Sequence, residues 1–221
     1  MICLKPLGPL AFRGGPRQHS AMTLDLPYRP LGWDSVRLEP LAEAHREPLR
    51  AACAADPDVW RDLYSLSLDG PHFDAFWDGP RVAALEAGTA RHYAVLHQDR
   101  CVGLTAFLKI DRANAALEIG LTYYAPDARG GPVNPAAKRL LLGEAFDAGF
   151  GRVQFHVDEI NARSRAAVLK LGASFEGIQR WDRIIWTGRR RSTAVYSVIA
   201  PEWPAVRDGL DRRLAAFGPG A

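Results

Sequence analysis

The sequence predicts an α/β domain of the α+β kind, a central sheet flanked by helices. Two observations carry that reading. Stretches whose apolar residues recur every second position alternate with stretches whose apolar residues recur every third or fourth. In the middle of the chain the order runs strand, helix, strand, helix, and short turn-like connections elsewhere suit hairpins.

The elements follow in order. Residues 1–21 show neither period and contain Pro6, Gly8, Pro9, Gly14, Gly15 and Pro16, where a signal peptide needs continuous apolar sequence. They are read as a flexible leader, with one domain from 22 to 221. Val36, Leu38 and Leu41 mark a first strand, and Leu49, Ala52 and Cys53 recur at helical spacing after it. A second helical region lies between Gly70 and Gly88. His92–Leu96 and Val102–Leu108 read as a hairpin about His97-Gln98-Asp99-Arg100.

In Leu117–Tyr124, alternation puts Leu117, Ile119, Leu121 and Tyr123 on one face and Glu118, Gly120, Thr122 and Tyr124 on the other, before Pro126 ends the strand. Asn134 then reads as an N-cap with Pro135 at the first helical position. Ala137, Leu140, Leu141, Ala145 and Ala148 form the stripe of a helix that ends at Gly149. Arg152–Val157 is the next strand, and a helix from Ala162 to Leu171 is closed by Gly172. Two last strands, Phe175–Trp186 and Thr193–Ile199, are joined by Thr187-Gly188-Arg189. A terminal helix with Val206, Leu210, Leu214 and Phe217 completes the chain.

Composition excludes several classes. With 48% apolar residues the chain can bury a full core. No run of eighteen apolar residues exists, so a membrane span is not expected and a cytoplasmic protein is. Cys3, Cys53 and Cys101 form no CxxC pair and have no His at ligand spacing. They are read as packing thiols, with no disulfide framework and no metal site. The formal charge of +3 is slight, and only Arg189-Arg190-Arg191 forms a basic cluster. Nucleic-acid binding is therefore not indicated, although three arginines at a hairpin tip could contact phosphates.

The most informative stretch is Tyr124-Ala125-Pro126-Asp127-Ala128-Arg129-Gly130-Gly131-Pro132-Val133-Asn134. It is a strand end, a glycine loop and a helix start in succession. Unpaired amides at a helix N-terminus favour phosphate, and Gly130 and Gly131 let a pyrophosphate approach without a Cβ in the way. A phosphate-bearing cofactor is the natural guest, and a plain connecting turn is the alternative.

This loop resembles the acetyl-CoA pyrophosphate loop of GNAT acetyltransferases, with Gly130 and Gly131 early and Asn134 at the last small-residue position. Asn161-Ala162-Arg163-Ser164-Arg165, then Leu169-Lys170-Leu171-Gly172-Ala173, then Phe175-Glu176-Gly177 are similar to a segment of the RimJ/RimL-type branch. The resemblance extends from Val36-Arg37-Leu38-Glu39-Pro40-Leu41 to Glu202-Trp203-Pro204.

That resemblance implies a mixed, mostly antiparallel sheet of about seven strands, split between two parallel central ones. It implies acetyl-CoA as cosubstrate, no metal, and direct acetyl transfer to a primary amine, on a small molecule or a protein N-terminus. Cofactor contacts fall on Ile119, Leu121, Thr122, Arg129, Gly130, Gly131, Val133, Asn134, Asn161 and Ser164. A lysine-like amine titrates near ~10.4 and must lose a proton before it attacks, which makes Glu118 the first candidate base and His156 the second. Many relatives place a tyrosine near the end of the following helix to protonate the leaving thiolate. That position is Val168 here, so Ser164 is the candidate donor, and both Ser164 and Asn161 could equally serve as first-turn capping residues.

In similar enzymes the early helical region, with Trp60, Tyr64 and Trp77, shapes the substrate cleft. A homodimer is expected by analogy, with Trp203 and the Trp-rich C-terminal hairpin against a second copy. A non-enzymatic acyl-CoA sensor on the same fold is the alternative function, motivated by the absent helix tyrosine and the irregular phosphate loop.

Overall fold

The computed structural model describes residues 24–218, so the leader and Cys3 lie outside the described residues. One eight-stranded sheet runs through it. The chain opens with β1 (Leu31–Trp33) and β2 (Val36–Pro40), an antiparallel pair. Three residues are too few for alternation to register, which is why β1 escaped the sequence reading. Four helices follow: α1 (Arg46–Ala54), α2 (Pro57–Leu63), α3 (His72–Asp78) and α4 (Pro80–Glu86). The second helical region is thus two helices, broken at Gly79, where Pro80 starts a new first turn. The short α2, opened by Pro57, carries Trp60 of the early helical region, for which the sequence reading gave no bounds.

β3 (Arg91–His97) and β4 (Arg100–Asp111) form the expected hairpin, turning through Gln98 and Asp99, both in the left-handed region. Then come β5 (Ala116–Tyr124), α5 (Val133–Asp147), β6 (Arg152–Asp158), α6 (Ala162–Lys170), β7 (Ser174–Ile184), β8 (Arg190–Ile199) and α7 (Trp203–Ala215). The sheet order is β1-β2-β3-β4-β5-β6-β8-β7, antiparallel except for β5 and β6. Those two are joined by the α5 crossover that a parallel pair needs.

Each face of the sheet has its own core. Val133, Leu141 and Leu142 of α5, with Trp203, Val206 and Leu210 of α7, pack on one face against Ile119, Phe155 and Tyr196. Leu49, Trp60, Phe73 and Trp77 from the first three helices pack on the other, against Leu104 and Tyr123. Fully burying such side chains stabilises by roughly 1.5–3 kcal/mol each before entropy is counted. Trp203 stacks on Phe146 and is 8% exposed, so it is already covered by its own chain and offers no face to a second copy.

Strict alternation along β5 fails at one place. Ala106 pairs with Gly120 and Leu104 with Tyr123, so Thr105 alone opposes both Leu121 and Thr122. This is a β-bulge, with Leu121 in the left-handed region at φ 46°. The extra residue exchanges the faces: Leu117 and Ile119 lie in the α5-side core, but Tyr123 lies in the opposite core and Tyr124 in the α5-side one. The expected common face for Leu117, Ile119, Leu121 and Tyr123 is therefore corrected. β5 and β6 pair only from Ala116 to Glu118, although β6 continues to Asp158. Beyond Glu118 the two strands part, and the sheet is split there.

Asn134 is not the N-cap of α5. Pro132 holds that position and Asn134 is the second helical residue, because the Gly130–Pro132 turn starts the helix one residue before Asn134.

Two measurements check this account. A Cβ on Gly103 of β4 would lie 1.9 Å from the Tyr123 carbonyl oxygen, so Gly103→Ala should destabilise by roughly 2–3 kcal/mol in urea unfolding. Glu176 is bonded to both Arg152 terminal nitrogens and to Ser197, and Arg152 first, then Ser197, hold its carboxyl at about 2 against an ordinary 4.5. A depressed folded value means that stability present above 4.5 is lost as pH falls toward 2. Glu176→Gln should lower stability at neutral pH and flatten its pH dependence across that window.

Candidate active site

At the split, a cavity of about 680 Å³ reaches both faces of the sheet. On the α5 face it begins at the loop before that helix. Arg129 donates from Nε to the Tyr124 carbonyl (2.8 Å) and from Nη1 to Asp56 (2.6 Å), which fixes its plane. Its Nη2 is buried with no partner among the described residues, and so is the Tyr124 hydroxyl. Both residues line the cavity, with Gly130 and Asn134. Gly130 turns at φ 82°, and a Cβ at Gly130 or Gly131 would meet nothing within 4 Å. The first-turn amides of Val133 and Asn134 have no intrahelical acceptor, whereas Pro132 and Pro135 contribute no N–H. The arrangement is an open cradle of donors at a helix N-terminus, suited to an anion.

Deeper on this face Lys138 of α5 is 4% exposed and lines the cavity. It donates to Thr122 Oγ1 (2.6 Å) and Thr105 Oγ1 (3.2 Å), the two hydroxyls at the bulge. Burial pushes its ammonium down to about 7. From the opposite face Tyr64 donates to the Thr122 carbonyl at 2.5 Å. Burial raises the Tyr64 hydroxyl well above its ordinary range, so it stays a donor. The bulge is thus pinned from both sides.

Glu118, the last residue of β5 paired with β6, is 7% exposed and faces away from α5. His156 Nδ1 lies 2.6 Å from its Oε2 and Lys109 Nζ 2.8 Å from the same oxygen. Lys109 reaches it from a left-handed kink in β4. Burial pushes the Glu118 carboxyl up, but the hydrogen bonds and charges of His156 and Lys109 together outweigh burial and hold it below its ordinary value. It is an ionised, oriented carboxylate at neutral pH. Trp186 closes this side: its Nε1 donates to the Trp60 carbonyl (3.0 Å) and its ring packs on His72.

Asn161 caps α6, its Oδ1 accepting the Ser164 N–H at 3.0 Å, and both residues line the cavity. Of the residues singled out in the sequence, Glu118, Ile119, Leu121, Thr122, Arg129, Gly130, Asn134, Asn161 and Ser164 are brought together there. Gly131 and Val133 are not among the lining residues, and the Val133 side chain is in the core. Trp60 and Trp77 are core residues and do not shape the cleft; of the three early aromatics only Tyr64 lines it. Lys109, Tyr124, Lys138 and Arg191 were missed. Lys138 left a signal, a lysine three and four residues before Leu141 and Leu142 on a buried helix face.

No protein of curated function matches the sequence. The family model for the acetyltransferase (GNAT) domain matches residues 35–174. A solved GCN5-related N-acetyltransferase from Brucella melitensis is 29% identical, with a TM-score of 0.78 over 86% of this chain and 87% of that one. An acetyltransferase structure from T. thermophilus is 34% identical, with a TM-score of 0.73 over 84% of this chain and 97% of that one. Mycobacterium smegmatis RimJ, solved with CoA-disulfide, is 21% identical with a TM-score of 0.71, covers 85% of this chain and 92% of its own, and shares the fold. With the split sheet, the open cradle of donors at the start of α5 and a family match over most of its length, the chain belongs to the GNAT family of acetyltransferases.

Proposed function

We propose that the protein moves an acetyl group from acetyl-CoA directly to a primary amine. The observation that carries this reading is the cavity that joins the unpartnered Arg129 Nη2 on one face to the Glu118–His156 pair on the other. The cradle fits a pyrophosphate: Arg129 offers a free donor, the first-turn amides of α5 are free, and Gly130 leaves open space. Bound there, the coenzyme supplies an acetyl group activated as a thioester.

The chain's residues would supply the rest. From Ile119 onward the edge of β5 that faces β6 is unpaired, so its N–H groups are free to hold a ligand carbonyl and the negative charge that develops on it. Ile119, Leu121 and Thr122 are the proposed sources. The acceptor arrives as an ammonium, loses one proton to Glu118 or His156, and attacks the acetyl carbon. As the C–N bond forms and the C–S bond breaks, the amine's second proton replaces the one that Ser164 passes to the sulfur, so the hydroxyl is restored. Ser164 is the proposed donor to that sulfur, since Val168 carries no proton to give. Lys109 keeps Glu118 ionised and in place.

The first test is calorimetric titration with acetyl-CoA. The wild type should bind in the micromolar range, on the order of −8 kcal/mol. Gly131→Glu should abolish binding without unfolding, because its Cβ enters open space and its carboxylate approaches the phosphates. Absence of wild-type binding would defeat the reading. The second is kinetic. Glu118→Gln should slow transfer by roughly 10²- to 10⁴-fold at neutral pH. Since Glu118 is held below its ordinary 4.5, its ionised form is lost only below that pH. A wild-type acid limb assigned to Glu118 at higher pH would contradict the assignment.

A further inference from the structure

Arg189-Arg190-Arg191 reads in the sequence as one solvated basic tip, and the structure takes it apart. Arg190 is exposed and lies over Trp181. Arg189 turns back onto Asp158 at 2.5 Å. Arg191 points inward, 6% exposed, into the wall of the cavity on the face that carries Glu118.

Arg191 is poorly satisfied there. Among the described residues its side chain makes one hydrogen bond, a long one of 3.4 Å from Nη2 to the His156 carbonyl. Its Nε is buried without a hydrogen-bond partner, and its nearest carboxylate oxygen is Asp158 Oδ2 at 3.8 Å. Every carboxylate around it is engaged elsewhere. Asp158 holds Arg189, Asp182 holds Arg183 and Thr193, and Glu118 holds Lys109 and His156. Arg183, opposite Arg191 in the β7–β8 register, adds a second positive charge rather than a partner.

A guanidinium does not deprotonate in proteins, so it cannot escape burial by becoming neutral. A buried charge whose nearest counter-ion stands at 3.8 Å and is shared with Arg189 is costly, and burial here works against this one. Such a group on a cavity wall is a site for an anion, and its fork of donors matches carboxylate or phosphate oxygens. The anion would sit close to the base: Glu118 bonds the His156 ring, and Arg191 bonds the carbonyl of the same residue.

We propose that Arg191 receives an oxyanion of the acceptor, so that the amine substrate carries a carboxylate or phosphate a few bonds from its nitrogen. This rests on the acetyl-transfer reading and names the class of its acceptor.

The test compares three series of primary amines with acetyl-CoA: ω-amino acids of one to five methylenes, their carboxamides, and the matching aminoalkyl phosphates. At the best chain length one anionic series should exceed the carboxamides by roughly 10- to 100-fold in kcat/KM, as a charge-assisted hydrogen bond allows. Which series leads distinguishes carboxylate from phosphate. Arg191→Met should collapse that ratio toward one, and Arg191→Lys, which keeps the charge but not the fork, should retain part of it. Circular dichroism and thermal melting check that both variants fold, and the wild-type ratio needs neither.

Carboxamides equal to or better than both anionic series would overturn the proposal. So would an unchanged ratio in folded Arg191→Met, or no transfer to any of these amines by protein that binds acetyl-CoA. Failure to bind acetyl-CoA at all would instead bring down the acetyl-transfer reading, and it is seen before any acceptor is added.

Discussion

The site depends on β5 leaving β6 immediately after Glu118. Three residue pairs hold the parallel strands together, and from Ile119 the backbone edge is open. The bulge at Leu121 and Thr122 belongs to the same departure: it adds twist, bends the strand and exchanges its faces. A leucine in the left-handed region costs on the order of 1–3 kcal/mol, so something must hold it. Tyr64 takes the Thr122 carbonyl from one face, and Lys138 takes the Thr122 and Thr105 hydroxyls from the other. Both helical layers therefore pin the one strand that must remain distorted, and the cavity persists because neither layer can close it without breaking those bonds.

The same separation sorts the chemistry. On the α5 face the free donors are backbone amides, Arg129 Nη2 and the Tyr124 hydroxyl, all suited to phosphates and amides of a long ligand. On the other face the groups are Glu118, His156, Lys109 and Arg191, suited to a small charged acceptor. The two sets meet only through the split.

Much of this was legible in the sequence, and the exceptions have physical causes. The strand and helix periods of β6 and α7 were plain because each buries alternate or every third-to-fourth residues on one face. The N-cap role of Asn161 was one of two open readings, and the structure shows it. Asn134 was misplaced by two positions because Pro132 is as acceptable before a helix as Pro135 is inside its first turn. The face assignment of β5 failed because a bulge has no fixed sequence signature: Leu121 is an ordinary strand residue whose φ is set by Tyr64 and Lys138, both distant in sequence. The arginine cluster was misread for a similar reason. Arg189 lies in the turn before β8, and Arg190 and Arg191 are successive strand residues that must point to opposite sides, so the three could not all share one solvated surface.

Lys138 and Arg191 are both buried cations beside the cavity, yet they place different demands on a ligand. Lys138 titrates at about 7 and has two hydroxyl acceptors, so it can shed its proton and rest neutral with no anion nearby. Its burial is accounted for by the bulge it holds. Arg191 has no neutral form within reach and, among the described residues, no acceptor better than a long contact to a carbonyl. Its nearest carboxylate, Asp158, stands at 3.8 Å and is bonded to Arg189, so an outside anion would complete its surroundings. With the coenzyme's phosphates proposed for the α5 cradle on the far side of the split, the proposal draws that anion from the acceptor.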